Sequence, residues 1–153
     1  MSAQPRLPGV GYSVSAEAFW RELELGALAL PHSPALVVDV YEAYRTRCLE
    51  LGLCRSDPIN WAIWTIMRFG QVRRIDVRLP EIDKHGFWLS GARRQRRRVL
   101  LAGYHPLANV EADKRSVKRA IGRFRIALRA YEWSLRRVRR GLPSAPLEPS
   151  APC

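Results

Sequence analysis

The chain has 153 residues, of which 47% are hydrophobic and 26% are charged, proportions that exclude a wholly disordered protein and fit one domain with appendages. Its 26 Lys and Arg residues against 14 Asp and Glu residues give a net charge of +12, which predicts attraction to polyanions without specifying a fold. Most of this excess lies beyond residue 60, and 23 of the 26 cations are arginine, whose planar fork suits phosphate and guanine edges.

The first sixty residues predict an arm followed by two amphipathic helices. Residues 1–12 are rich in Pro and Gly and have no periodicity, so we expect them to be flexible. Ser15 can cap a short helix, and Ser33-Pro34 is a strong start signal for a second helix that ends at Gly52. The apolar stripe of this second helix includes Cys48, and its polar side includes Asp39.

A third helix is predicted to begin at Asp57-Pro58 and to end at Gly70. Its apolar residues can face a core, and its outward residues are Asn60, Trp61, Trp64, Thr65 and Arg68. Two indoles three residues apart favour either burial against a neighbouring element or contact with DNA or a partner.

A small antiparallel sheet is predicted after the third helix. From Gln71 the apolar and charged residues alternate, which is typical of a half-buried strand, and Pro80 stops it. Turn residues then precede a short apolar segment, Phe87-Trp88-Leu89, and an arginine-rich loop. We expect the last strand to run from Val99 to Tyr104.

The longest predicted helix begins at a cap on Asn109 and continues to about Arg140. Its apolar positions form a heptad seam, and the rest of its surface is strongly basic. Three interpretations stay open for it: a basic helix on nucleic acid, a partner or homodimer surface, and a seam that covers its own domain. The residues predicted for a partner surface are Ile121, Phe124, Leu128 and Leu135.

These elements predict a mainly α protein with a small antiparallel β-hairpin or sheet, in the α+β class. The expected organisation is an arm over residues 1–12, a winged-helix-like domain over 13–107, a long basic helix over 108–140 and a disordered tail over 141–153.

The order helix, helix, capped helix, strand, Arg-rich loop, strand resembles winged-helix DNA-binding domains. More narrowly, VYEAYRTRCLELGL, a following helix and GFWLSGARRQRRRVLLAGYHPL are similar to the C-terminal winged-helix domain of phage, plasmid and poxvirus primase-helicases. The similarity covers residues 34–107. It implies DNA binding in the replication or regulation of a mobile genetic element. Because Trp and Ile stand where a reading helix normally shows polar side chains, backbone contacts are favoured over base readout.

The arginine-rich loop is the strongest functional signal, because its guanidinium groups outnumber the acids nearby. It is interpreted as a phosphate clamp or minor-groove insert, the alternative being a solvated loop. The predicted nucleic-acid-binding residues are Arg68, Arg73, Arg74, Arg93, Arg94, Arg96, Arg97, Arg98, Arg115, Lys118 and Arg119. DNA is favoured over RNA.

Other functional classes have weaker support. The spacing of the cysteines and histidines matches no zinc site, and no cofactor motif is present. Asp76, Glu81 and Asp83 suggest a metal-dependent nuclease only faintly, so we expect no enzyme. An odd cysteine count and the lack of a long apolar run favour a cytoplasmic protein off the membrane. The second hypothesis is an assembly subunit of a nucleoprotein complex that docks a protein through the seam.

Overall fold

The computed structural model describes residues 12–91 and 93–141, which form four helices and three strands. In chain order these are α1 Val14–Glu24, β1 Ala35–Leu36, α2 Val37–Glu50, α3 Ile59–Phe69, β2 Arg74–Leu79, β3 Gln95–Leu100 and α4 Lys114–Gly141. The predicted α+β class, with a small antiparallel sheet and a long C-terminal helix, is confirmed. The predicted arm, apart from Tyr12, and the predicted tail after Gly141 lie outside the described residues.

The sheet has the strand order β1-β3-β2, and both pairings are antiparallel. Strand β1 was not predicted, because Ser33-Pro34 was expected to start a helix. Instead Ala35 pairs with Leu100 and Leu36 pairs with Val99, so the chain stays extended until α2 begins at Val37. Pairing with a distant strand overrides the local capping signal here.

The prediction of the last strand at Val99–Tyr104 was wrong, because β3 begins at Gln95 and includes the arginines that were placed in a loop. All six residues of β3 are in register with β2, so the ladder defines the strand. The chain turns away after Leu101, where Gly103 adopts a positive φ of 66°. The predicted apolar segment Phe87-Trp88-Leu89 contributes a single bridge, between Trp88 and Ile82.

The sheet separates two groups of buried side chains. On one face Ala35 and Leu100 pack with the buried residues of α1, α2 and α3. On the other face Leu36 and Val99, together with Val77 and Leu79 of β2, pack with Val117 and Ile121 of α4. The three N-terminal helices and the first half of α4 therefore cover opposite faces of the sheet.

The seam of α4 is buried within this domain, so the intramolecular interpretation holds for most of it. Its buried residues are Val117, Ile121, Phe124, Leu128 and Tyr131. Burying each such side chain stabilises a fold by roughly 1.5–3 kcal/mol. The helix starts at Lys114 rather than at Asn109, since the Asn109 side chain accepts a hydrogen bond from the Glu111 amide in the turn before the helix.

The start of α1 differs from the prediction because Ser13, not Ser15, is the cap. The Ser13 hydroxyl accepts a hydrogen bond from the Ala16 amide at 3.1 Å. Ser15 Oγ is instead 2.7 Å from the hydroxyl of Tyr44 on α2. Thr65 of α3 was predicted to face outward but is fully buried, because its Oγ1 accepts a hydrogen bond from the Ser13 amide at 3.0 Å.

Asp57 holds the connection between α2 and α3 in place. Its carboxylate accepts a hydrogen bond from the Ser13 hydroxyl at 2.6 Å, and its amide donates to the Tyr44 hydroxyl at 2.7 Å. Its carbonyl accepts a hydrogen bond from the Tyr41 hydroxyl at 2.9 Å. The predicted bounds of α3 are confirmed, but the predicted cap on Asp57 is wrong, because Pro58 is the N-cap residue and the Asp57 carboxylate bonds to Ser13. The bonds of Asp57 fix the start of α3 relative to α1 and α2.

Asp39 on α2 was predicted to be on the polar surface, and this was wrong. Its carboxylate is buried and accepts hydrogen bonds from Nε and Nη2 of Arg125 on α4, the shortest at 2.9 Å. Arg125 Nη1 also donates to the carbonyls of Ile82 and Asp83 at 3.3 and 3.2 Å. Burial raises the pKa of Asp39, and the hydrogen bonds from Arg125 oppose that shift. One guanidinium thus joins α4, α2 and the β2–β3 connection.

The first part of the β2–β3 connection is packed against α4. Trp88 Nε1 donates to the Lys118 carbonyl at 3.0 Å, and Arg129 Nε donates to the Lys84 carbonyl at 3.1 Å. Between these bonds the backbones of Gly86 and Gly122 approach so closely that a Cβ on Gly122 would lie 2.9 Å from the Gly86 carbonyl oxygen. Small residues at both positions allow this contact.

Replacing Arg125 by methionine should lower the free energy of unfolding by about 3–5 kcal/mol, because a buried carboxylate loses its partner. The loss should shrink as the pH falls toward the raised pKa of Asp39, where the carboxyl takes up a proton. The double variant Asp39→Leu/Arg125→Met should recover most of the stability. Urea denaturation measures all three. Arg129→Met, which removes a more exposed arginine of the same helix, is the control, and an equal loss in the control would contradict the prediction.

Gly86→Ala should destabilise the fold more than Gly91→Ala. Both glycines have a positive φ, 88° for Gly86 and 80° for Gly91. An alanine at either position therefore introduces backbone strain of roughly 1–2 kcal/mol. A Cβ on Gly86 would in addition lie 2.7 Å from the Gly122 carbonyl oxygen, whereas a Cβ on Gly91 meets nothing within 4 Å. We expect an extra loss of about 1–3 kcal/mol for Gly86→Ala by urea denaturation. Equal losses would show that the loop does not depend on this contact.

Candidate nucleic-acid interface

The β2–β3 hairpin carries arginines on one face. Side chains alternate along a strand, so Arg74, Asp76 and Arg78 of β2 lie on one side while Ile75, Val77 and Leu79 lie on the other. The register places Arg96 and Arg98 of β3 opposite Arg78 and Asp76. We call Arg74, Arg78, Arg96 and Arg98 the arginine face. All four side chains are exposed.

The charges of the arginine face are poorly balanced within the domain. Arg78 and Arg96 are direct cross-strand neighbours, whose Cβ atoms lie about 5 Å apart in such pairs, and like charges at this distance destabilise a sheet. Asp76 is the single carboxylate on the strands of this face. Within residues 12–91 and 93–141, no ion pair includes a member of the arginine face. An anion from outside the domain would remove the imbalance.

The five arginines predicted to act together in a loop are divided by the structure. Arg96 and Arg98 belong to the arginine face, and Arg93 and Arg94 are exposed just before β3 begins. Arg97 points to the opposite side of the strand, is half-buried, and donates from Nε to the Pro80 carbonyl at 3.2 Å. Strand alternation turns it toward the side of the sheet that α4 covers, so it does not lie with the arginine face.

Two further predicted contacts lie near the start of the hairpin. Arg68 is exposed on the last turn of α3, with Cζ 5.6 Å from the centroid of the Trp64 ring. Arg73 is exposed immediately before β2, and its carbonyl accepts a hydrogen bond from the Leu101 amide at 2.9 Å. Alternation directs the Arg73 side chain away from Arg74 and hence away from the arginine face.

The predicted cations of α4 form a second basic surface. Arg115 and Arg119 are exposed, and α4 lies on the opposite side of the sheet from the arginine face. Lys118 is half-buried, with Nζ 5.3 Å from the centroid of the Trp88 ring, so it packs on the β2–β3 connection. The structure therefore does not bring the hairpin arginines and the α4 cations onto one surface.

The residues predicted for a protein partner are mostly occupied within the domain. Ile121, Phe124 and Leu128 are buried in its two cores. Leu135 is half-buried beside a groove of about 200 Å³ that Glu42 and Leu49 of α2 also line. A partner that inserted between the seam and the domain would have to displace the core.

Sequence reasoning missed Arg78, which is directly opposite Arg96 on the arginine face. The alternation of β2 was recognised, so its outward arginines were already visible as a pair, Arg74 and Arg78. The missing information was the register of β3, because a strand placed four residues too late leaves Arg78 without a cross-strand neighbour.

Two of the remaining polar candidates, Asp83 and Cys48, have structural roles. Asp83 Oδ1 accepts hydrogen bonds from the His85 and Phe87 amides, the turn chemistry that was predicted, and the Phe87 amide lowers the pKa of this carboxyl. Cys48 is buried on α2, as predicted. In the part of the chain that the structure describes, no group of His, Cys, Asp or Glu is arranged to hold a metal ion. None of the described helices is long and apolar enough to cross a membrane.

No protein-family model, curated protein or solved structure matches the chain.

Replacing Arg96 by glutamine should raise the free energy of unfolding by about 0.2–1 kcal/mol at low salt, because it removes the repulsion with Arg78. Arg98→Gln is the matched control, since Arg98 is opposite Asp76 and its loss should leave stability unchanged or slightly lower. Urea denaturation at low salt and at 1 M salt, where the Debye length is about 3 Å, measures both. A gain that persists at high salt, or equal effects of the two variants, would contradict the electrostatic explanation.

Proposed function

We propose that this protein binds DNA and that the arginine face supplies its main phosphate contacts. The observation that carries the proposal is the direct opposition of Arg78 and Arg96 on an exposed strand pair that has a single carboxylate. A charge arrangement that costs stability in the free protein becomes favourable when a polyanion lies across it. Guanidinium groups suit this role because they make paired, charge-assisted hydrogen bonds to phosphate oxygens.

The spacing of the arginine face fits a phosphate backbone. Arg74 and Arg78 are four residues apart on one strand, a separation of about 13 Å between their Cα atoms. Arg96 and Arg98 are two residues apart on the neighbouring strand, a separation of about 7 Å. Phosphates follow one another at about 3.4 Å of axial rise per strand of duplex DNA, so the four guanidiniums span several phosphates. Arg93 and Arg94 are exposed just before β3 and add two further cations near the arginine face in the chain.

The element order supports this proposal through the resemblance to winged-helix domains. Helices α1, α2 and α3 precede the strands β2 and β3, as in the order on which the resemblance rests, although β1 is an added strand and Arg96, Arg97 and Arg98 lie within β3. A role in the replication or regulation of a mobile genetic element and a preference for DNA over RNA come from the same resemblance and belong to the proposal. A cytoplasmic location, which the odd cysteine count and the lack of a long apolar run favour, belongs to the proposal as well. In this proposal the protein binds DNA without catalysing a reaction on it.

The test is a fluorescence anisotropy titration of labelled DNA with the full chain at several salt concentrations. Four phosphate contacts predict a slope of about −3 to −4 for log affinity against log salt. The double variant Arg96→Gln/Arg98→Gln should weaken binding and make the slope less steep by about 2, one unit for each lost contact.

The matched control is Arg21→Gln/Arg45→Gln, which removes the same charge from α1 and α2. Both of these arginines form surface ion pairs, with Glu17 and Glu42. If DNA binding depends on the position of the arginines and not on net charge alone, the control variant keeps the slope of log affinity against log salt of the unmodified protein. Equal weakening by the two double variants, or a flat salt response, would overturn the proposal.

A further inference from the structure

Helix α3 exposes an outward side that is unusual for a helix that would contact DNA. Its inward residues Ala62, Ile63 and Ile66 are buried against the other helices. Its outward side carries two indoles one turn apart. Trp61 is 39% exposed, and Trp64 is half-buried beneath the guanidinium of Arg68. Part of each indole is thus accessible to a ligand from solvent.

Indoles are poorly suited to reading intact duplex DNA. A helix in the major groove distinguishes base pairs through side chains that donate and accept hydrogen bonds, such as Arg, Asn and Gln. An indole has a single donor and no acceptor. Its flat face instead matches the face of a base, and such stacking is used by proteins that bind unpaired strands. In a paired duplex those base faces are covered by the neighbouring base pairs.

Helix α3 is close in the chain to the hairpin that carries the arginine face. Helices α1 to α3 pack on the sheet face that carries Leu100, and alternation along β3 puts Arg96 and Arg98 on that same face. Four residues, 70–73, join the end of α3 to β2, and the Val72 amide donates to the Met67 carbonyl at 3.0 Å. The end of α3 and the strand β2, which carries Arg74 and Arg78, are therefore connected through a short, hydrogen-bonded link.

We propose that Trp61 and Trp64 stack on unpaired bases, so that the preferred ligand is DNA whose strands are separated, with its phosphates on the arginine face. This inference rests on the proposed function and specifies its substrate class. An unpaired strand offers both chemistries at once, because its bases are unstacked and its phosphates remain charged. A fully paired duplex offers the phosphates alone.

The experiment compares three labelled probes of equal length at one salt concentration: a single strand, its duplex, and the duplex with a central unpaired bubble. The unmodified protein should bind the single strand and the bubble at least about fivefold more tightly than the duplex, the lower end of what one stacked base contributes. Trp61→Leu and Trp64→Leu keep apolar contacts with the domain but lack a flat ring. They should lose this preference while keeping the duplex affinity.

Trp133→Leu is the matched control. Trp133 is on α4, is 59% exposed and has Arg137 5.2 Å from its ring centroid, so it reproduces the chemistry of Trp64 at another place. This variant should keep the preference for unpaired DNA. Thermal unfolding checks that all variants fold, and the duplex affinity gives a second check for the α3 variants.

The outcomes separate the two proposals. If no probe binds, the proposed function fails and this inference fails with it. If all probes bind equally and Arg96→Gln/Arg98→Gln weakens them all, the proposed function stands and the role of α3 is overturned. A preference that survives in Trp61→Leu and Trp64→Leu, or that disappears in Trp133→Leu, also overturns it.

Discussion

The buried pair of Arg125 and Asp39 is the interaction on which the arrangement of this domain depends. It fastens α4 to α2, and through the carbonyls of Ile82 and Asp83 it fastens the β2–β3 connection to the same helix. One face of the sheet is closed as a result. From composition alone, Arg125 would be assigned to binding an anionic ligand. The structure shows that it instead forms an ion pair within the protein, with Asp39. The arginines beyond the cover of the helices remain exposed to solvent.

This division of the arginines follows from the strand period. Alternate residues of β3 go to opposite sides, so Arg97 is drawn toward the covered side while Arg96 and Arg98 stay in solvent. The exposed set includes a like-charged pair across the strands, an arrangement that a sequence selected for stability alone would avoid. Local features that oppose stability are concentrated at functional sites in proteins, which is the physical basis of our proposal.

Features set by neighbouring residues could be predicted from the sequence, whereas features set by distant pairing could not. The bounds of α3 follow from Asp57-Pro58 and Gly70, and the burial of the α4 seam follows its heptad spacing. Strand β1 exists only because Ala35 and Leu36 pair with β3. Likewise Asp39 has no sequence signal for burial, since its partner is 86 residues away. The candidate site could be recognised from its arginines. Which arginines belong to it, however, depends on the register of β3 against β2.

The strand order leaves β2 at an outer edge of the sheet. Unpaired amide and carbonyl groups along such an edge invite strands from other molecules, which is a common route to aggregation. Arg74, Asp76 and Arg78 place charges along this strand, and charged side chains on an edge discourage such pairing. Two of the residues that we propose for DNA contact, Arg74 and Arg78, therefore also disfavour edge-to-edge pairing of β2 with another strand while no ligand is bound.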